Sequence, residues 1–188
     1  MKGKKVLVLT LAMTLWGGTM IFADSASQAI RVALNGSELS EGGIMSEGKS
    51  YLPLRQLASQ MQALVLWDDN AKKASIIKPN VHMFLFKTDK STFGGVEAGK
   101  KVTFSVFAQV DTLTTDIHSF RITITDPAGK ETLIQQDTMK SSKDNFWFLT
   151  DDFKYSFDSA GKYSVRFSIR LAAGDEWSVV SEKNLLAK

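Results

Sequence analysis

The stretch Asp158-Ser159-Ala160-Gly161-Lys162-Tyr163-Ser164-Val165-Arg166-Phe167-Ser168-Ile169-Arg170-Leu171 decides the fold. Tyr163, Val165, Phe167, Ile169 and Leu171 alternate without a break with Ser164, Arg166, Ser168 and Arg170. Successive side chains of an extended chain point to opposite faces, so this pattern makes a strand with one apolar and one polar face. Asp158 to Gly161 is turn chemistry leading into it. The same signature recurs upstream. Val102, Phe104, Val106 and Ala108 alternate with Thr103 and Ser105, and Phe120, Ile122 and Ile124 end at the turn Asp126-Pro127-Ala128-Gly129. Leu133–Gln135, Phe146–Leu149 and Phe153–Phe157 are further strands, and after Ala173-Gly174-Asp175 the run Trp177–Val180 closes the series. About seven short strands spaced some ten residues apart, with no helical period, predict an antiparallel β-sandwich over 88–188, with 80–87 as linker or first strand.

Asp158 to Val165 resembles the approach to strand F of immunoglobulin-like domains, where a Tyr hydrogen-bonds back across the corner. Tyr163 takes that position, and Val165 stands where antibody domains carry a cysteine. The Asp-to-Tyr spacing is one residue longer than in antibodies. The resemblance implies an immunoglobulin-like topology and says nothing of a ligand.

Residues 30–79 read differently. Ile30 to Leu34 alternates, and Asn35-Gly36 is the strongest short hairpin signal, since a type I′ turn needs positive φ at both central positions. Glu41-Gly42-Gly43 and Glu47-Gly48-Lys49 are further turns. Pro53 suits the first turn of a helix, and Leu54, Leu57, Ala58 and Met61 recur at helical spacing. Val65-Leu66-Trp67 is a short strand, Asp68 to Ala71 a turn, and Ala74–Ile77 pairs back. The expectation is a small α+β module, one helix on an antiparallel sheet, with Trp67 in its core. The chain as a whole is then mainly β.

Leu34-Asn35-Gly36, Tyr51-Leu52-Pro53-Leu54-Arg55, Leu57-Ala58, Ala63, Val65, Trp67-Asp68 and Ile76 resemble the copper amine oxidase N-terminal-like domain. This is a stalk module common in secreted proteins of Gram-positive bacteria. The match spans about fifty residues, and departs from the family at Gln62, where a Gly is usual after the helix. The resemblance implies a module and not an oxidase, because copper amine oxidases carry their chemistry in a separate domain with several histidine ligands. The chain has two histidines, His82 and His118, and no cysteine. No metal and no cofactor are expected.

Lys2, Lys4 and Lys5 precede an apolar run from Val6 to Phe22, and small residues follow at Ala23, Ser25, Ala26 and Ala29. This is the layout of a secretory signal peptide over 1–29, cleaved after residue 23, 25, 26 or 29. An uncleaved membrane anchor is the alternative, the run being near the lower limit for a spanning helix. The formal net charge is +3, from 23 basic and 20 acidic residues. Without Lys2, Lys4 and Lys5 the balance is 20 against 20, or 20 against 19 if Asp24 leaves too. No basic stripe remains for nucleic acid, and no membrane insertion is expected after cleavage. The lack of cysteine leaves stability to the core.

Asp144, Asp151, Asp152 and Asp158 form an acidic cluster without the alternating ligands and Gly of a calcium loop, and read as solvated turn carboxylates. There is no Gly-x-Ser-x-Gly elbow, His-Glu-x-x-His or phosphate loop, so no catalytic residue is assigned. The one segment with a binding flavour is Asn145 to Leu149. If Phe146 and Phe148 point inward, Trp147 points outward, where with Tyr155 and Lys154 it stacks on a sugar ring or anchors a protein. The other reading buries Trp147 under the linker or in the opposite face. Trp177, alternating with Val179, reads as core. The functional expectation is a non-catalytic exported binding or scaffold module at the bacterial cell envelope or outside the cell, meeting a cell-wall polymer or an extracellular protein. The alternative is a secreted regulator or inhibitor that blocks an extracellular enzyme with its sandwich loops.

Overall fold

The computed structural model describes residues 27–139 and 144–188. Most of the expected leader lies outside the described residues. The chain is mainly β, 58% strand with a single helix among the described residues, and its sheets are antiparallel apart from one short parallel pair. It divides into two compact units, one ending at Pro53 and one running from Leu54 to Lys188.

Turn chemistry builds the first unit. Strands β1 (Gln28–Ile30), β4 (Gly43–Ser46) and β5 (Lys49–Tyr51) form a three-stranded sheet, and β2 (Ala33–Leu34) pairs with β3 (Ser37–Glu38). Asn35 and Gly36 join β2 to β3 with φ of +50° and +82°, the two positive angles a type I′ turn demands. Glu47 and Gly48 repeat this between β4 and β5, at +51° and +72°. Among the described residues of this unit, Leu39 alone is fully buried.

The second unit opens with helix α1 (Leu54–Gln60) and the hairpin β6 (Leu64–Asp68) and β7 (Lys73–Ile77). The helix ends without the expected Gly. Gln62 itself takes the left-handed conformation, φ +57°, and the Ala63 and Gln62 N–H groups donate to the Ala58 and Ser59 carbonyls. That is a Schellman ending built on a residue with a Cβ. In β6 the alternation runs against the expected core: Leu64 and Leu66 meet the core cluster, and Trp67 turns to the other face, half exposed, its Nε1 donating to Asp69. A strand of period two cannot bury neighbours in sequence on one face.

Two sheets enclose the core. The first holds β8 (Asn80–Lys87), the long β10 (Lys100–Asp111), and β13 (Phe146–Leu149) and β14 (Phe153–Phe157) end to end on the far side of β10. Between β13 and β14 the chain bulges at 150–152. Thr150 bridges the break, its N–H donating to the Val106 carbonyl and its Oγ1 accepting the Val106 N–H at 2.9 Å. The second sheet runs β12 (Glu131–Thr138), β11 (Ser119–Thr125), β15 (Gly161–Arg170), β16 (Ser178–Ala187) and β9 (Gly95–Val96), β9 lying parallel to β16.

The inward residues follow the alternation: Phe104 and Val106 from β10, Ile122 and Ile124 from β11, and Val165 and Phe167 from β15 are all 0% exposed. Aromatic rings interlock them. Phe120 stacks on Phe167 at 5.4 Å, and Phe104 meets Phe153 edge-on at 5.9 Å. Tyr163 makes the corner contact expected of it: its hydroxyl donates to the Ser159 carbonyl and accepts the Ser159 N–H. Trp177 is not core. It is half-buried, with the Arg121 and Arg170 guanidinium carbons 4.8 and 4.7 Å from its ring centre.

Candidate functional site

Phe146 and Phe148 pack on Phe120 at 5.5 and 4.7 Å, so both point inward. Alternation then turns Trp147 out, and its ring is 70% exposed. Pairing with β10 sets Trp147 beside Gln109 and Leu149 beside Phe107. On the other side of β10, His82 stands opposite Gln109 and Phe84 opposite Phe107. The outer face of the first sheet thus carries two adjacent cross-strand rows: Phe84, Phe107 and Leu149, then His82, Gln109 and Trp147. Trp147 stacks on Phe107 at 6.3 Å with 26° between the planes. Phe84 is 47% exposed and Leu149 45%, so the apolar surface is continuous across three strands. Gln109 is held by its own bond from Nε2 to the Asp111 carboxylate at 3.0 Å, placing polar groups beside the Trp147 ring.

Lys154 and Tyr155 do not join this site. Lys154 pairs with Thr103, six positions from Gln109 along β10, or about 20 Å at ~3.3 Å per residue. Tyr155 turns to the opposite side, meeting Phe157 at 5.1 Å and Tyr163 at 6.1 Å. Burial pushes its phenol up from the ordinary value, helped by the Asp126 carboxylate, by Tyr163 and by Asp158, while the Thr132 hydroxyl bond pulls the other way. The extra residue at 150–152 shifts the alternation between β13 and β14, so Tyr155 faces opposite to Trp147 although both positions are odd.

Asp68 caps its turn, accepting the Asn70 and Ala71 N–H groups at 3.0 Å. Tyr51 is half exposed, Pro53 precedes α1, and Arg55 is exposed on that helix. His118 Nδ1 lies 3.2 Å from Ser119 Oγ, and His82 faces solvent. Among the described residues no group of three or more His, Cys, Asp or Glu is arranged to hold a metal ion. None of their helices is long and apolar enough to cross a membrane. Phe84, Phe107 and Leu149 were not foreseen as site residues; the doubly apolar run Met83 to Phe86 was the available signal.

No protein-family model matches the chain, and no curated protein matches it in sequence.

Proposed function

We propose that this is a non-catalytic exported binding module acting at the bacterial cell envelope, whose ligand surface is the outer aromatic face of the first sheet. The observation that carries the reading is Trp147, a large ring left 70% exposed yet braced by Phe107 and set beside the Gln109–Asp111 pair. A flat ring for the apolar face of a sugar, with amide and carboxylate groups beside it for hydroxyls, suits a cell-wall polymer. The leader pattern and the resemblance of 30–79 to stalk modules support export, and the corner at Tyr163 supports an immunoglobulin-like domain as the presenting scaffold.

The test is co-sedimentation of the purified chain with purified cell wall. Trp147→Ala should weaken binding by about 30-fold, equivalent to ~2 kcal/mol for a hot spot, with the melting temperature nearly unchanged. Equal binding by the two proteins would remove this face from the function.

A further inference from the structure

A second feature of the Leu54–Lys188 unit has a different chemistry. Arg55 and Ser59 stand four residues apart on α1, so their side chains leave the helix on one face. That face looks into a cavity of about 300 Å³, which Val65 lines from β6 and Glu176, Trp177 and Val179 line from the sandwich side. The volume lies at the lower end of the ~300–1,000 Å³ typical of small-molecule sites.

The aromatic wall is fixed in advance. The indole of Trp177 is held by two guanidiniums at 4.8 and 4.7 Å, each anchored in turn: Arg121 pairs with Glu131 at 3.2 Å, and Arg170 Nε donates to Ser119 Oγ at 2.7 Å. A wall that does not move on binding costs no ordering. The charged groups at the rim are uncommitted, since among the described residues neither Arg55 nor Glu176 makes an ion pair. One cation, one carboxylate, the hydroxyls of Ser59 and Ser178 and an apolar floor with an indole form a complementary set for a small zwitterion with an apolar body.

We propose that this cavity binds a free α-amino acid with an apolar side chain. Arg55 and Ser59 take its carboxylate, the guanidinium fork matching the two oxygens. Glu176 takes its ammonium group, and the side chain lies against Trp177, Val65 and Val179. This site is independent of the aromatic face and of the reading built on it.

Isothermal titration of the purified full chain with L-phenylalanine and L-leucine tests it. Saturable binding with Kd at or below ~1 mM is expected for at least one of them. For the one that binds, Arg55→Gln should weaken it by at least ~10-fold, the usual worth of a charge-assisted hydrogen bond, and Arg55→Lys by less. Phenylalaninamide, which lacks the carboxylate, should bind as poorly to the native chain as L-phenylalanine does to Arg55→Gln. Glu176→Gln should weaken the amino acid and leave 3-phenylpropanoate, its des-amino analogue, unchanged. Trp147→Ala should change none of this. No saturable heat up to about ten times that Kd, or binding that Arg55→Gln leaves intact, overturns the proposal.

Discussion

Residues 27–77 and the sandwich at 80–188 were written with equally strong local signals and ended with opposite interiors. In the sandwich, alternation on β10, β11 and β15 finds a second sheet to face, and Phe104, Ile122, Val165 and Phe167 are wholly enclosed. In the earlier segment the turns form just as the residues demand, but Ile44, Tyr51, Met61, Trp67 and Ile76 stay between 45% and 55% exposed. Turn chemistry is local and needs no partner. Burial needs an opposing surface, and in this segment only a few side chains, such as Leu64 of β6 against the core cluster, find one.

That contrast can be broken most directly in the sandwich. Phe167→Ala removes a ring that is 0% exposed and stacked on Phe120, and should cost ~3–5 kcal/mol, seen as a large drop in the denaturation midpoint. Trp67→Ala removes a larger ring from the hairpin, but one half in water already, so it should cost only about 1–2 kcal/mol. A loss at Trp67 equal to that at Phe167 would erase the distinction between the two regions. Tyr163→Phe keeps the packing and deletes the hydroxyl bonds to Ser159, and should cost ~1 kcal/mol in the same denaturation experiment. Gln62→Gly should move the other way. It relieves a left-handed residue with a Cβ and should raise stability by up to ~1 kcal/mol, and a loss there would show that the Gln62 side chain contributes more than its backbone costs. The smallest change is expected for Trp147→Ala, within ~0.5 kcal/mol, and a larger fall in melting temperature would mean that the ring is part of the core.

What the sequence made legible follows the same division. The turns at Asn35-Gly36 and Glu47-Gly48, the strand at Tyr163–Leu171 and the corner at Ser159 were readable because the residues involved admit few other conformations. The face occupied by Trp67 was not, since a single Trp in a short apolar run carries no sign of which side will be covered. The spacing of Trp177 to Val179 points to core, yet its partners are two polar groups, Arg170 seven residues back and Arg121 on a strand far away in the chain. Strand β16 extends to Ala187, well past Val180, because β15 offers a ladder along its whole length; Ser181 to Asn184 has no strand pattern of its own. At the candidate site, Trp147 was readable from Phe146 and Phe148, whereas its union with Phe84, Phe107 and Leu149 depends on register between strands far apart in the chain.

The bulge at Thr150 has a consequence for the life of this protein in a crowded solution. Among the described residues, strands β13 and β14 form an outer edge of the first sheet, and an unbroken edge of that length would offer a row of backbone groups to any other extended chain. By diverting its hydroxyl to the Val106 N–H, Thr150 breaks the row in the middle and leaves Asp151 and Asp152, both exposed, at the gap. A second molecule seeking to add a strand there would meet a kink and two negative charges. An edge interrupted in this way is a poorer template for fibre growth than an unbroken one.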